Sequence, residues 1–200
     1  DCLEARATSL VVIQGCQSLM PTDSNSELPL AEPAPTSSIQ KTTPSQLVAA
    51  LQSDHPEWIV QIIEALGEVT AVVPRDHIVA VCSYLKTAPE GLFDFLADLC
   101  AADRGVEEEP RFEVNYHLFS TTKFHRLRLK VLVNEQDARI PTVTDVWRTA
   151  NWHERETFDL MGIVFEGHPD LRRILLPEDW EGHALRKDFP LRGYEPYSLK

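Results

Sequence analysis

Phe112-Glu113-Val114-Asn115-Tyr116-His117-Leu118-Phe119-Ser120, then Thr121-Thr122-Lys123, then Phe124-His125-Arg126-Leu127-Arg128-Leu129-Lys130-Val131-Leu132-Val133-Asn134, is the stretch on which the fold turns. Its second half alternates without a break, with Leu127, Leu129, Val131 and Val133 on one side and Arg126, Arg128, Lys130 and Leu132 on the other. A repeat of two belongs to a β-strand with one face on a core and one in water. Phe112–Ser120 alternates in the same way, and Ser120-Thr121-Thr122-Lys123 between the two suits a hairpin turn.

Upstream of this pair, Ser45–Ser53 and Glu57–Leu66 carry helical spacing (Leu47, Val48, Leu51; Ile59, Ile62, Ile63, Leu66), with Pro56 placed for the second helix's first turn. Glu68–Pro74 reads as a strand, and Asp76 is placed to cap a helix running to about Thr87, with Ile78, Val81, Cys82 and Leu85 on one face. Leu92–Ala101 fits either period and is read as a strand. The resulting expectation is an α+β, two-layer domain, with a mostly antiparallel or mixed sheet of about four strands packed on helices. That domain spans 44–162, between an N-terminal extension over 1–43 and an extended C-terminal strap over 163–200.

Downstream, Thr144 or Asp145 can cap a helix that Gly162 ends as a C′ glycine. Counting 100° per residue from Trp147, Ala150, Glu154, Phe158 and Met161 share one face, which puts Glu154 in an apolar stripe. A buried unpaired carboxylate costs about 3–5 kcal/mol, so a paired Arg is expected. Arg155 faces Asp159 at i+4, and Trp152, Glu156 and Leu160 form a second face. A helix with two apolar sides packs between its own sheet and something else. Beyond Gly162 no period survives, while Ile174, Leu175, Leu176, Trp180, Phe189 and Leu191 interleave with Arg172, Arg173, Arg186 and Lys187. Long structureless segments in compact domains are usually functional or linkers. Apolar anchors beside fork-shaped cations make a strap for a partner's carboxylates. The strap folding back on its own domain is the other reading, and the two are compatible.

The residues Glu154-Arg155-Glu156, Asp159-Leu160-Met161, His168, Arg172 and Ile174-Leu175, at these intervals, resemble the signature of the C subunit of the proton-pumping NADH:quinone oxidoreductase, complex I, known in mitochondria as the 30 kDa subunit. Gly167-His168-Pro169-Asp170-Leu171-Arg172-Arg173, the closing Leu185-Arg186-Lys187-Asp188-Phe189-Pro190-Leu191 and the upstream Ala150-Asn151-Trp152 strengthen the likeness. A weaker likeness reaches back to about residue 57. One departure is His183-Ala184-Leu185, where this family often reads aromatic-Pro-Leu. The resemblance implies an α/β layer and a docking signature at Glu154, Arg155, Glu156, Asp159, His168, Arg172, Arg173, Arg186, Lys187 and Asp188. It also implies a peripheral-arm protein without catalytic residues, packed on the quinone-site D subunit with the B and I subunits nearby. Flavin, iron–sulfur clusters, NADH and quinone then belong to those partners, at the cytoplasmic face of the bacterial inner membrane. An equivalent component of an energy-converting hydrogenase or a related quinone oxidoreductase is the alternative within this likeness.

Composition fits that picture. A chain of 200 residues at 43% hydrophobic can fill one modest core. The net charge of −12 disfavours nucleic acid and anionic membrane surfaces as main partners. Residues 1–162 hold 24 acids and 13 bases, and 163–200 hold 7 and 6, so the acidity lies in the body and the strap is balanced. Cys2, Cys16, Cys82 and Cys100 lack cluster or zinc-ribbon spacing, and apolar neighbours suggest that Cys82 and Cys100 are buried reduced thiols in a reducing compartment. His153, Glu154, Glu156, His168 and His183 offer a free-standing metal hydrolase as the alternative of another class, but they lack zinc-protease spacing, and the chain is expected to bind no metal, flavin or NADH. Glycine-rich phosphate loops are missing too. No stretch approaches the ~20 apolar residues of a membrane span. The Pro/Ser/Thr-rich stretch from Met20 to Pro44 is expected to be disordered, with Met20 as the start of the protein.

Overall fold

The computed structural model describes residues 43–191. The expectations for the N-terminal extension and for Met20 as the start lie, apart from Thr43, outside these residues. Thr43 opens α1 (Pro44–Asp54): its side chain accepts from the Gln46 amide, and the Gln46 side chain accepts from the Thr43 amide. This capping box satisfies two amide groups that a helix start leaves orphaned.

Five strands make one sheet in the order β1-β2-β5-β4-β3, with β1 (Gln61–Ala65), β2 (Glu68–Val72), β3 (Phe95–Asp103), β4 (Phe112–Phe119) and β5 (Arg126–Val133). All neighbours are antiparallel except β2 and β5. β4 and β5 form the expected hairpin, and Leu127, Leu129, Val131 and Val133 are buried as their alternation predicts. α2 (Ile78–Thr87) follows a short 3-10 turn at Arg75–His77 and buries Ile78, Val81, Cys82 and Leu85. Asp76 lies in that turn, and neither it nor the turn supplies a side-chain cap. Leu47, Val48 and Leu51 of α1 complete the core with Val114, Tyr116 and Leu118 of β4.

The expected helix over Glu57–Leu66 is instead the edge strand β1 and the turn that joins it to β2. Leu66 and Gly67 both take positive φ, 53° and 80°. Two consecutive left-handed residues form the turn whose twist matches a two-stranded ribbon. A short apolar run such as Ile59–Leu66 satisfies helical and strand templates alike, and the Leu-Gly turn decides between them.

After β5, β6 (Arg139–Pro141) pairs in parallel with β7 (Val164–Glu166). The stretch after Gly162 therefore begins with a short strand. Between β6 and β7 lies α3 (Ala150–Met161), which packs on β3. It starts later than Thr144 or Asp145 would allow, because residues 143–149 wind through tighter turns first, as in Val146 N–H to Val143 O at 2.9 Å. Gly162 ends it with φ 75°. The sheet thus has one strand more than expected, and the fold is the α+β layer that the sequence predicts.

Candidate docking site

The signature residues gather around α3. Glu154 is fully buried, as its place on the stripe requires, but the buried face also takes Thr157 and Asp159, while Phe158 is half-buried. Among the described residues no Arg meets Glu154. The Val143 amide donates to Oε1 at 2.8 Å, and the Thr142 hydroxyl contacts Oε2. The expected ion pair is corrected on this point: burial outweighs both hydrogen bonds and raises the carboxyl to about 7. The same Thr142 hydroxyl lies 3.0 Å from Thr144 Oγ1 and has only one proton to donate. A protonated Glu154 donates to Thr142 and leaves that proton for Thr144. A neutral acid therefore does what the missing cation was expected to do.

Asp159, also fully buried, anchors the strap. Its Oδ2 accepts from the amides of Ile174, Leu175 and Leu176 at 3.0, 2.8 and 2.9 Å, and Arg173 Nη1 reaches Oδ1 at 2.7 Å. Burial alone would raise this carboxyl, yet the three amides and the guanidinium hold it below the usual range. Arg155 does not pair with Asp159 at i+4. It donates to the carbonyls of Arg172 and Arg173 at 3.1 and 3.2 Å and lies over the Trp152 ring. Farther along, Leu185 N–H bonds to Leu160 O at 3.0 Å and Arg186 Nε to Met161 O at 2.7 Å. The departure at His183-Ala184 is accommodated within this contact, where His183 Nδ1 lies 2.9 Å from Asp159 O. A Cβ on Gly162 would stand 2.4 Å from His183 Nε2, so the strap crosses the helix end where only glycine fits.

A second anchor escapes sequence reasoning. Arg111, 2% exposed, bonds Asp103 through Nε at 3.1 Å and Nη2 at 2.8 Å, Glu135 at 2.6 Å and Asp188 of the strap at 2.7 Å. Arg111 brings the Asp103 carboxyl down to about 2 and also holds Asp188 low. Lys187 adds its amide to Asp103 Oδ2 at 2.8 Å, and Arg186 lies over Phe112. Arg111 and Asp188 stand 77 positions apart, so no local spacing could show the pairing.

Arg173, Arg186 and Asp188 are thus used within the chain, and the fold-back reading holds for them. His168 is likewise internal: Nε2 faces Asn151 O at 3.3 Å, Nδ1 accepts the Asp170 amide at 3.0 Å, and burial lowers its pKa. What points outward is Trp152, 61% exposed, with Glu156, Leu175, Leu185 and Arg172, whose guanidinium meets the carboxylate of its own neighbour Asp170 at 2.8 Å. The histidines and carboxylates weighed for a hydrolase do not converge. Among the described residues, the side chains close enough to share an ion are Asp98, Cys100 and His117. Cys82 is buried as expected, but Cys100 is exposed, because strand alternation turns it away from the core.

The chain matches the family described as respiratory-chain NADH dehydrogenase, 30 Kd subunit, over residues 71–195. It is 48% identical over 149 residues to the C subunit of the NADH-quinone oxidoreductase of Roseiflexus castenholzii, covering 74% of this chain and 85% of that protein. The corresponding C subunit of Geotalea uraniireducens is 46% identical over 155 residues, covering 76% and 93%. Among solved structures, a trypsin-resistant fragment of Nqo5 aligns with a TM-score of 0.54 at 38% identity, covering 62% of this chain and 98% of the fragment. An archaeal membrane-bound sulfane sulfur reductase aligns with a TM-score of 0.61 at 23% identity, over 74% of this chain and 85% of that one, a likeness of fold alone.

Proposed function

We infer the role of this chain from one premise: it belongs to the family of the 30 kDa subunit of respiratory-chain NADH dehydrogenase. It is accordingly part of an oxidoreductase complex of the respiratory chain, and no helix among the described residues is long and apolar enough to cross a membrane. Within that complex the chain is a scaffold in the peripheral arm, seated on the quinone-site D subunit and close to the B and I subunits, on the cytoplasmic side. It keeps the quinone-reducing module in register while electrons pass from NADH to quinone and protons are moved. Flavin, clusters, NADH and quinone are held by its partners.

The observation that carries this reading is how the signature's polar groups are spent. Asp159, Arg173, Arg111 and Asp188 saturate one another inside the chain and fix the course of the strap. An enzyme site keeps reactive groups pointed at a cavity; here they lock backbone. What the locked strap and α3 leave outward is Trp152, Arg172, Leu175 and Leu185, large apolar groups beside a planar cation, and aromatic rings and Arg are enriched at protein interfaces.

The test is co-purification of the tagged full chain from a bacterial host lacking its own 30 kDa subunit, read by mass spectrometry. The D, B and I subunits are expected with the wild type. Trp152→Ala combined with Arg172→Ala should keep the chain's unfolding midpoint and lose the quinone-site D subunit together with membrane NADH:quinone activity. Full recovery of that partner with the double variant, or co-purification with unrelated proteins only, would refute the proposal.

A further inference from the structure

We propose that the sheet face on the far side from α2 carries a site for a redox-inactive divalent cation of the zinc class, with Asp98, Cys100 and His117 as ligands and His153 of α3 as fourth donor. The site goes beyond the docking role and departs from the expectation of a chain without metal. Its origin lies in the strand geometry. Leu96 pairs with Leu118 and Asp98 with His117, so Ala97 is an extra residue in β3, a bulge. Leu96 and Leu99 are both buried, three positions apart, which strict alternation forbids and the bulge permits. Beyond it, Asp98 and Cys100 alternate with Leu99 and share one face with His117.

The ligand atoms of Asp98, Cys100 and His117 all lie within 4.8 Å of one another. Tetrahedral zinc bonds of about 2.0–2.3 Å set donors roughly 3.3–3.7 Å apart, so side-chain rotations of about an ångström close the set. His153 Nδ1 already stands 3.4 Å from Asp98 Oδ1. One thiolate, two imidazoles and a carboxylate suit a borderline-soft ion rather than magnesium or calcium. The surroundings favour a cation as well. Glu113 and Glu156 lie near Cys100, and the nearby Arg128 guanidinium is engaged by Glu68. Glu113 itself is paired with Lys130 at 2.9 Å. Opposite Cys100, the Asn115 side-chain oxygen is buried without a hydrogen-bond partner among the described residues, which do not close this patch by their own hydrogen bonds. The consequence of binding is mechanical: the ion ties α3, whose far end holds the strap, to β3 and β4.

The experiment uses the full chain in a Cys2→Ser, Cys16→Ser background, stripped with chelator and titrated with Co2+ as the spectroscopic probe. One equivalent should bind with tetrahedral d–d bands and a thiolate-to-cobalt charge-transfer band, and Zn2+ should displace it. Cys100→Ser should abolish the charge-transfer band. His117→Gln and Asp98→Asn should weaken binding by on the order of tenfold or more, and His153→Gln by less. Because Cys100 must release its proton, affinity should fall as the pH is lowered. The substituted side chains lie toward the surface, and metal-free unfolding midpoints should match the parent. No stoichiometric binding, octahedral bands alone, or a charge-transfer band that survives Cys100→Ser would overturn the proposal. None of these results bears on recovery of the quinone-site partner, so the two readings fail separately.

Discussion

Replacing Glu154 with Gln should make the protein more stable at alkaline pH and leave it nearly unchanged in mild acid. The wild-type carboxyl sits between the Val143 amide and the Thr142 hydroxyl in a fully buried position, raised from 4.5 to about 7. A folded-state value above the unfolded one means that folding favours the protonated acid. The stability it lends is complete below the unfolded pKa and is lost as pH rises from there through the folded one. A tenfold change in acid strength is worth ~1.4 kcal/mol, so the wild type at about pH 8.5 carries a penalty of about 3 kcal/mol, against under about 1 at pH 5. The Gln amide reproduces the neutral acid: its oxygen accepts from Val143 and its nitrogen donates to Thr142. Urea unfolding of both full-length proteins at the two pH values checks this. The carboxylates held low at Asp103, Asp159 and Asp188 are common to both proteins, so their own pH dependence cancels. The gap in favour of Gln should widen by about 2–3 kcal/mol on going from acid to alkali. Parallel curves, or a variant less stable at alkaline pH, would show that the folded protein does not raise the Glu154 carboxyl and would refute this account of its surroundings.

Asp159→Ala strands Arg173 and three amides and should cost about 3–5 kcal/mol in urea unfolding, with early proteolytic cutting of 173–191. Arg111→Ala leaves Asp103 buried without its cation and should cost a similar amount, about 3–5 kcal/mol, with the larger share of the acid stability lost too. In the wild type that contribution is present above the unfolded Asp value of 3.8 and disappears as pH falls toward about 2, so an acid titration followed by circular dichroism should show the variant losing less stability than the wild type across that range, with the share from Asp159 remaining in both. Gly162→Ala meets both a φ of 75° and the His183 ring and should lower stability by about 1–3 kcal/mol; adding His183→Ala should restore part of it.

What is legible in the sequence is what repeats over short distances. Leu127 through Val133 alternate because one face of β5 is core, and that alone delivers the hairpin. Gly162 announces the end of α3 because a left-handed residue is required there. Ile59–Leu66 misleads because its apolar positions fit two periods, and a Leu in left-handed conformation is a poor sequence signal for a turn. Cys100 reads as core from its neighbour Leu99, although strand neighbours point to opposite faces. Glu154 falls in the stripe as its helical phase requires, but its partner is hidden, since a backbone amide leaves no trace in composition. Arg173 and Arg186 look free because their partners are an acid on α3 and a carbonyl at its end, brought close only by tertiary folding. Arg111 is invisible for the same reason: its three acids come from β3, from the turn after β5 and from the strap.

The Arg111 cluster also sets an order of events in time. Asp103 and Glu135 leave the ribosome long before Asp188, and Asp159 is made before any of the three amides that it accepts. During synthesis the sheet can close with its buried cation only partly compensated, and the strap, made later, brings the third counter-charge. Contacts of such sequence separation form late, because chain closure must be completed first. A shortened product lacking the strap would keep its sheet but leave the three amide bonds of Asp159 unmade and the end of α3 uncovered. The outward row of Trp152, Arg172 and Leu185 is therefore assembled only once the strap has been made and seated, so that the surface a partner would meet reports that the strap is in place.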